Sequence, residues 1–172
     1  MGDARYNTGN SLMIVCSKLG LHFTACAQKE YFPNAELVSQ CEEYCEESKG
    51  TITLTEQITA AVKDADIIYT DVWVSMGEPD EVWEERIKDL SPYKVTSDVM
   101  ALANPNAIFL HCLPSFHDVN TTIGQEIYEK FEITEMEVSD EVFRSKASLV
   151  FEEAENRMHT IKAVMAATLG AV

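Results

Sequence analysis

Four short stretches hold the side chains able to do chemistry: "GDARYNTGNS" from residue 2, "DVWVSMGEPD" from 71, "FLHCLPSFHD" from 109 and "EEAENRMHTIKAVM" from 152. In the third, Cys112 stands between His111 and Leu113-Pro114. A thiol at the end of an apolar run can be a nucleophile, a proton acceptor or a polar wall, although most buried cysteines are inert. A Cys-His protease pair is disfavoured. Neighbours on a strand point to opposite faces, so His111 is badly placed to serve Cys112. His117 reaches it only if the loop folds back. Both histidines therefore read as supporting residues.

In the second stretch, Asp71 near a strand end can bind a substrate ammonium, or simply brace a turn or cap a helix. Ser75 and the backbone of Met76 follow four and five residues on, close enough to join the same pocket. In the first stretch, glycines ahead of a helix suit an anion, but neither G-x-G-x-x-G nor a P-loop is present. Asn7 or Thr8 reads as a helix cap, and the Asn7 amide also suits an amino acid's carboxylate or amine. In the fourth, Arg157 offers a planar fork for phosphate or carboxylate. The plain alternative is a helix with an i, i+4 pair from Glu153 to Arg157.

The elements that must position these residues alternate. Leu21–Ala27, Thr51–Leu54, Ile67–Trp73 and Ala107–Leu113 read as strands, rich in aliphatic and β-branched residues. Between them lie helical stretches. Asn34 can cap "AELVSQCEEYCEESKG", with Gly50 as its stop, and Thr55 can cap "EQITAAVKDA". "EPDEVWEERIKDL", "TTIGQEIYEKF" and a long segment from Ser148 to Leu169 complete the set. This order predicts one parallel sheet covered on both faces, a doubly wound α/β domain. Ligands in such sheets bind outside the carboxyl ends of the strands, where the polar stretches fall.

Composition narrows the function. A chain of 172 residues with 46% hydrophobic residues supports one domain with a core. The net charge of −16 argues against nucleic acid as a partner. No apolar run nears the roughly 20 residues of a membrane span, and no secretion signal opens the chain. Five cysteines, an odd number, then suggest reduced thiols and a cytoplasmic location. Cys41 and Cys45 share a helix face, but no histidine pair accompanies them, so no metal site is expected. No repeat or low-complexity linker interrupts the chain.

In this order, "GDARYNTGNS", "ITLTE", "YTDVWVSMGE", "FLHCLPSFHD", "SDEVF" and "AENRMHTIKAVM" resemble the ornithine carbamoyltransferases over almost the whole chain. The D-x-x-x-S-M-G and H-C-L-P pair sets that family apart from the aspartate carbamoyltransferases. The resemblance implies a Rossmann-like α/β fold and transfer of a carbamoyl group from carbamoyl phosphate to the ornithine δ-amine, with no cofactor. It implies that Asn7, Asp71, Ser75 and Met76 hold ornithine. Cys112 lies at the reacting centre, and Cys112, Leu113 and Arg157 contact carbamoyl phosphate. It also implies a cis Leu113-Pro114 bond and a parent enzyme that is a homotrimer or a multiple of one. The family's carbamoyl-phosphate segments, S-T-R-T-R and H-P-x-Q, do not occur here, and the first sheet strand is expected to be missing. Residues 1–145 then form the ornithine-binding domain, and 146–172 a helix that in the family packs on the absent domain. The alternative is a stand-alone ornithine- or amino-acid-binding module without catalysis.

Overall fold

The computed structural model describes residues 1–74 and 78–170. Its helices are α1 (Asn7–Leu19), α2 (Ala35–Ser48), α3 (Ile58–Val62), α4 (Trp83–Leu90), α5 (Ser97–Ala101), α6 (Thr122–Phe131), α7 (Asp140–Phe143) and α8 (Val150–Thr168). Its strands are β1 (His22–Cys26), β2 (Thr51–Thr55), β3 (Ile67–Thr70) and β4 (Ile108–His111). The βα alternation is as the sequence predicts, and every strand pairing is parallel.

Local chemistry sets the boundaries. α2 starts where the Asn34 side chain accepts the Glu36 N–H at 2.8 Å. It stops at Lys49, which takes the left-handed conformation at φ 71°, one residue before the expected Gly50. Gly50 is needed for another reason: a Cβ there would lie 2.6 Å from the Leu21 carbonyl oxygen. The helix expected after Thr55 shrinks to α3. Thr55 ends β2, and its hydroxyl accepts the Gln57 N–H at 3.1 Å. Tyr6, not Asn7 or Thr8, is the cap residue of α1.

The expected single sheet is built as two ladders among the described residues, β1 with β2 and β3 with β4. Their registers run from His22 opposite Thr51 to Cys26 opposite Thr55, and from Ile67 opposite Ile108 to Thr70 opposite His111. The first residues of the chain tie the ladders together at their carboxyl ends. The Met1 ammonium donates to the Tyr69 carbonyl at 2.6 Å, and the Gly2 N–H donates to the Cys26 carbonyl at 3.0 Å. The Thr70 hydroxyl closes the link on the Met1 carbonyl at 3.0 Å. Beyond β4, the Phe109 backbone also pairs with Ala147 and Leu149.

The core divides the same way. Ile68, Val95, Phe109, Val138, Val142 and Val150 form one buried cluster, and Tyr31, Trp73, Leu90, Ile127 and Met136 form another. Only one face of the β3–β4 ladder is buried. Ile68, Thr70, Phe109 and His111 point into the core, whereas Ile67 on the other face is 55% exposed. Tyr69, Ile108 and Leu110 line a groove of about 560 Å³ with the start of α8. The expected cover on both faces is therefore incomplete, because α8 runs clear of the sheet after its first turns.

Candidate functional site at the strand ends

β3 and β4 deliver Asp71 and Cys112 side by side, because their ladder pairs Thr70 with His111 and each strand then takes one more step. The Cys112 thiol donates to Asp71 Oδ1 at 2.9 Å. That oxygen also accepts the Val72 N–H at 2.8 Å, so both contacts made by the described residues fall on Oδ1. Burial, reinforced by the Asp71 charge, pushes the thiol up to about 12. Thr8, on the first turn of α1, works in the opposite direction. Asn7, exposed, precedes it at the very start of the helix.

His111 faces the other way, as strand alternation requires. Its Nδ1 accepts the Leu113 N–H at 2.9 Å, so Nε2 carries the hydrogen and donates to Glu137 Oε1 at 3.1 Å. The same oxygen takes the Ser115 hydroxyl at 2.9 Å and the Phe116 N–H at 2.7 Å. The His111 and Glu137 side chains are both completely buried. This network fixes the path from 111 to 116 around the Leu113-Pro114 peptide, which is cis as the resemblance implies. Leu113 has φ 52°, a left-handed conformation that costs a non-glycine residue on the order of 1 kcal/mol, and its N–H bond to His111 helps to hold it there. His117 is also committed elsewhere. It bonds to Asp140 at 2.7 Å and stacks on Phe143 with ring centroids 3.6 Å apart.

Arg157 lies on α8, exposed, and lines the groove together with Cys112, Tyr69 and Glu153. Glu153 does not serve as a simple helix-surface charge. Its Oε1 accepts the Tyr69 hydroxyl at 2.8 Å and its Oε2 accepts the His111 N–H at 3.1 Å, so it pins α8 to both strand ends. Of the residues singled out from sequence, the structure gathers Asp71, Cys112 and Leu113 in one place, with Arg157 on the groove that Cys112 also lines and Asn7 exposed at the start of α1. Ser75 and Met76 lie outside the described residues. The partners of Thr8, Glu137 and Glu153 lie 21 to 104 residues away in sequence, and no local pattern marks these roles.

Comparison with known proteins identifies the family. The family described as "Aspartate/ornithine carbamoyltransferase, Asp/Orn binding domain" matches residues 1–168. The catabolic ornithine carbamoyltransferase of Treponema denticola is 60% identical over 169 residues, which is 98% of this chain and 50% of that enzyme. A Staphylococcus aureus ornithine carbamoyltransferase is 57% identical over 171 residues, 99% of this chain and 51% of that enzyme. The crystal structure of the anabolic ornithine carbamoyltransferase from Campylobacter jejuni superposes with a TM-score of 0.82 at 30% identity, covering 99% of this chain and 50% of that one. The chain thus spans about half the length of the relatives it matches. It belongs to the aspartate/ornithine carbamoyltransferase family, of which it carries the Asp/Orn-binding domain.

Proposed function

We propose that this chain supplies the ornithine-binding half of an ornithine carbamoyltransferase. The observation that carries the reading is the Cys112–Asp71 hydrogen bond at 2.9 Å, which joins the two segments on which the family resemblance rests. Asp71 Oδ2 takes the α-ammonium of ornithine, and Asn7, Ser75 and Met76 take its remaining α-amino and carboxylate groups. The δ-nitrogen is thereby aimed at Cys112. It must shed a proton before attack, and Cys112, already protonated, can only relay it, passing its own hydrogen to Asp71 Oδ1 as the sulfur takes one from the δ-nitrogen. The neutral δ-amine then bonds to the carbamoyl carbon of carbamoyl phosphate, the carbon–oxygen bond to phosphate breaks, the nitrogen's second proton goes to the departing phosphate, and citrulline and phosphate leave. Because the thiol stays neutral well above physiological pH, it adds no negative charge beside an anionic substrate. Holding the two reactants in line lowers the barrier by several kcal/mol.

Arg157 and the backbone at Cys112 and Leu113 supply part of the carbamoyl-phosphate contacts. The remainder comes from the other half of the parent enzyme, against which the apolar positions of α8 are suited to pack. The free state of all five cysteines supports a reducing, cytoplasmic setting. No helix among the described residues is long and apolar enough to cross a membrane. Isothermal titration of the chain with L-ornithine, with and without carbamoyl phosphate, tests the proposal. Binding that is lost in Asp71→Ala and Cys112→Ala supports it. No binding by the unaltered chain, or equal binding by those variants, refutes it.

A further inference from the structure

Outside the reacting centre, one guanidinium joins the two stretches of chain that carry Asn7 and Asp71. Arg86, on α4, donates from Nη1 to Asp3 Oδ2 at 2.9 Å and to the Trp73 carbonyl at 3.1 Å. From Nη2 it donates to the Tyr6 hydroxyl at 2.7 Å and to Glu78 Oε1 at 3.0 Å. Tyr6 in turn donates to Glu78 Oε1 at 2.9 Å. The four acceptors come from two separate regions. Asp3 and Tyr6 belong to the turn that ends at Asn7, whereas Trp73 and Glu78 follow Asp71 on the chain leaving β3.

The site is built rather than incidental. The Asp3 side chain is 1% exposed and that of Arg86 is 11% exposed. Arg5 forks onto the same Asp3 carboxylate, through Nε at 3.0 Å and Nη2 at 2.6 Å. The rings of Tyr6 and Tyr31 each lie within 5.6 Å of both guanidinium carbons. Four acceptors spread over two nitrogens match the planar fork of arginine. A lysine ammonium, a single point with three donors, cannot reach them all.

We propose that Arg86 is a positioning residue for the ornithine subsite, fixing the Asn7 turn relative to Asp71. The inference rests on the reading of the cleft given above, since it is there that Asn7 and Asp71 share one ligand. Arg86 itself touches no substrate. It acts by setting the spacing between two groups that must grip the same amino acid, so that misplacement by about 1 Å weakens the grip without dismantling the fold.

Two amides report on the two regions without any ligand: Asn10, which donates to the Tyr6 carbonyl at 3.0 Å, and Val72, which donates to Asp71 Oδ1 at 2.8 Å. Lys49, which donates to the Cys45 carbonyl at the end of α2, is the reference. In the full chain, Arg86→Ala should speed hydrogen exchange at Asn10 and Val72 together by about tenfold or more, with Lys49 changed less than about twofold. It should raise the ornithine Kd by about tenfold or more, with Arg86→Lys and Tyr6→Phe intermediate. Lys94→Ala, which removes the distant ion pair to Glu135, should leave all of these readouts unchanged.

Exchange that rises at only one of the two amides, or equally at Lys49, overturns the proposal, as does an unchanged ornithine Kd. Should Arg86→Ala fail to fold, Tyr6→Phe decides by the same readouts. An unaltered chain that binds no ornithine refutes the reading of the cleft instead. The exchange arm then still decides whether Arg86 couples the two regions.

Discussion

The loops after β3 and β4 and the helix α8 carry the two ends of the proposed site, and they are built on opposite terms. Around Cys112 the chain itself supplies the supporting bonds: Asp71 for the thiol, His111 for the Leu113 amide, and Glu137 for His111. Arg157 sits on a helix fastened chiefly through Glu153 near its start. Farther along α8, Met158, Ile161, Val164, Met165 and Leu169 are all at least half exposed. Preorganisation costs nothing at the moment of reaction only where the supporting groups are already in place. The surroundings of Cys112 and Asp71 meet that condition within the described residues, and those of Arg157 do not.

The largest expected effect follows directly. Incubated alone with ornithine and carbamoyl phosphate, the chain should form citrulline at least about a thousandfold more slowly than a full-length relative, since the loss of even one transition-state donor costs 10²–10³. A colorimetric citrulline assay decides it. Rates near those of the full-length enzyme would show that the two regions are equally complete. Activity that appears only on adding a separately made carbamoyl-phosphate domain would sharpen the contrast.

Next in size is the support beneath Cys112. Glu137→Ala removes an acceptor shared by His111, Ser115 and Phe116 and strands buried donors. A loss of about 3–5 kcal/mol is expected, read as a fall in Tm of roughly 10 °C for a domain of this size. Glu137→Gln keeps an acceptor and should cost about 1 kcal/mol. Equal, small losses in both variants would mean that the loop does not depend on this residue.

The contrast between the two regions also governs what could be read from sequence. Apolar runs placed the four strands to within a few residues, and strand alternation correctly sent His111 and Cys112 to opposite faces. The H-C-L-P and D-x-x-x-S-M-G segments located Asp71 and Cys112. What failed depended on partners distant in the chain. Thr8 was read as a cap because its proximity to Cys112 is created only by the fold. Glu137 lies in "EMEVSD", which resembles an ordinary solvated stretch, yet it is fully buried. Arg86 reads as one charge among several on α4. The single sheet was expected because alternating strands and helices reveal pairing order but not whether each ladder edge is occupied.

A tenfold-scale test concerns the thiol. Burial, and then Asp71, hold Cys112 protonated up to about 12, against 9.0 for an unperturbed thiol. The unfolded chain sheds that proton first, so this residue stabilises the fold fully below pH 9, and its contribution is lost as pH climbs from about 9 to about 12. Cys112→Ala should flatten that part of the stability curve. Asp71→Asn should lower the thiol's pKa part of the way, because burial remains the larger cause, and should speed iodoacetamide labelling of Cys112 at pH 9 by about tenfold. Unchanged labelling would mean that Asp71 does not govern the sulfur.

The smallest expected change in stability tests the other region. Ile161 and Met165 are 50% and 56% exposed, one turn apart on α8. Glutamine at both positions retains helix propensity and removes little buried area, so the double variant Ile161→Gln/Met165→Gln should change unfolding free energy by no more than about 0.5 kcal/mol. A helix packed on its own domain would instead lose several kcal/mol on such a change. Its effect should appear in solution behaviour. An apolar stripe along about three turns of helix favours self-association, and polar replacement should shift sedimentation towards monomer at the same concentration. A large stability loss would place α8 in the chain's own core and erase the difference between the two regions. Stability retained together with weaker self-association would show that this face does not pack on the chain's own core, whereas the bonds that support Cys112 lie within it.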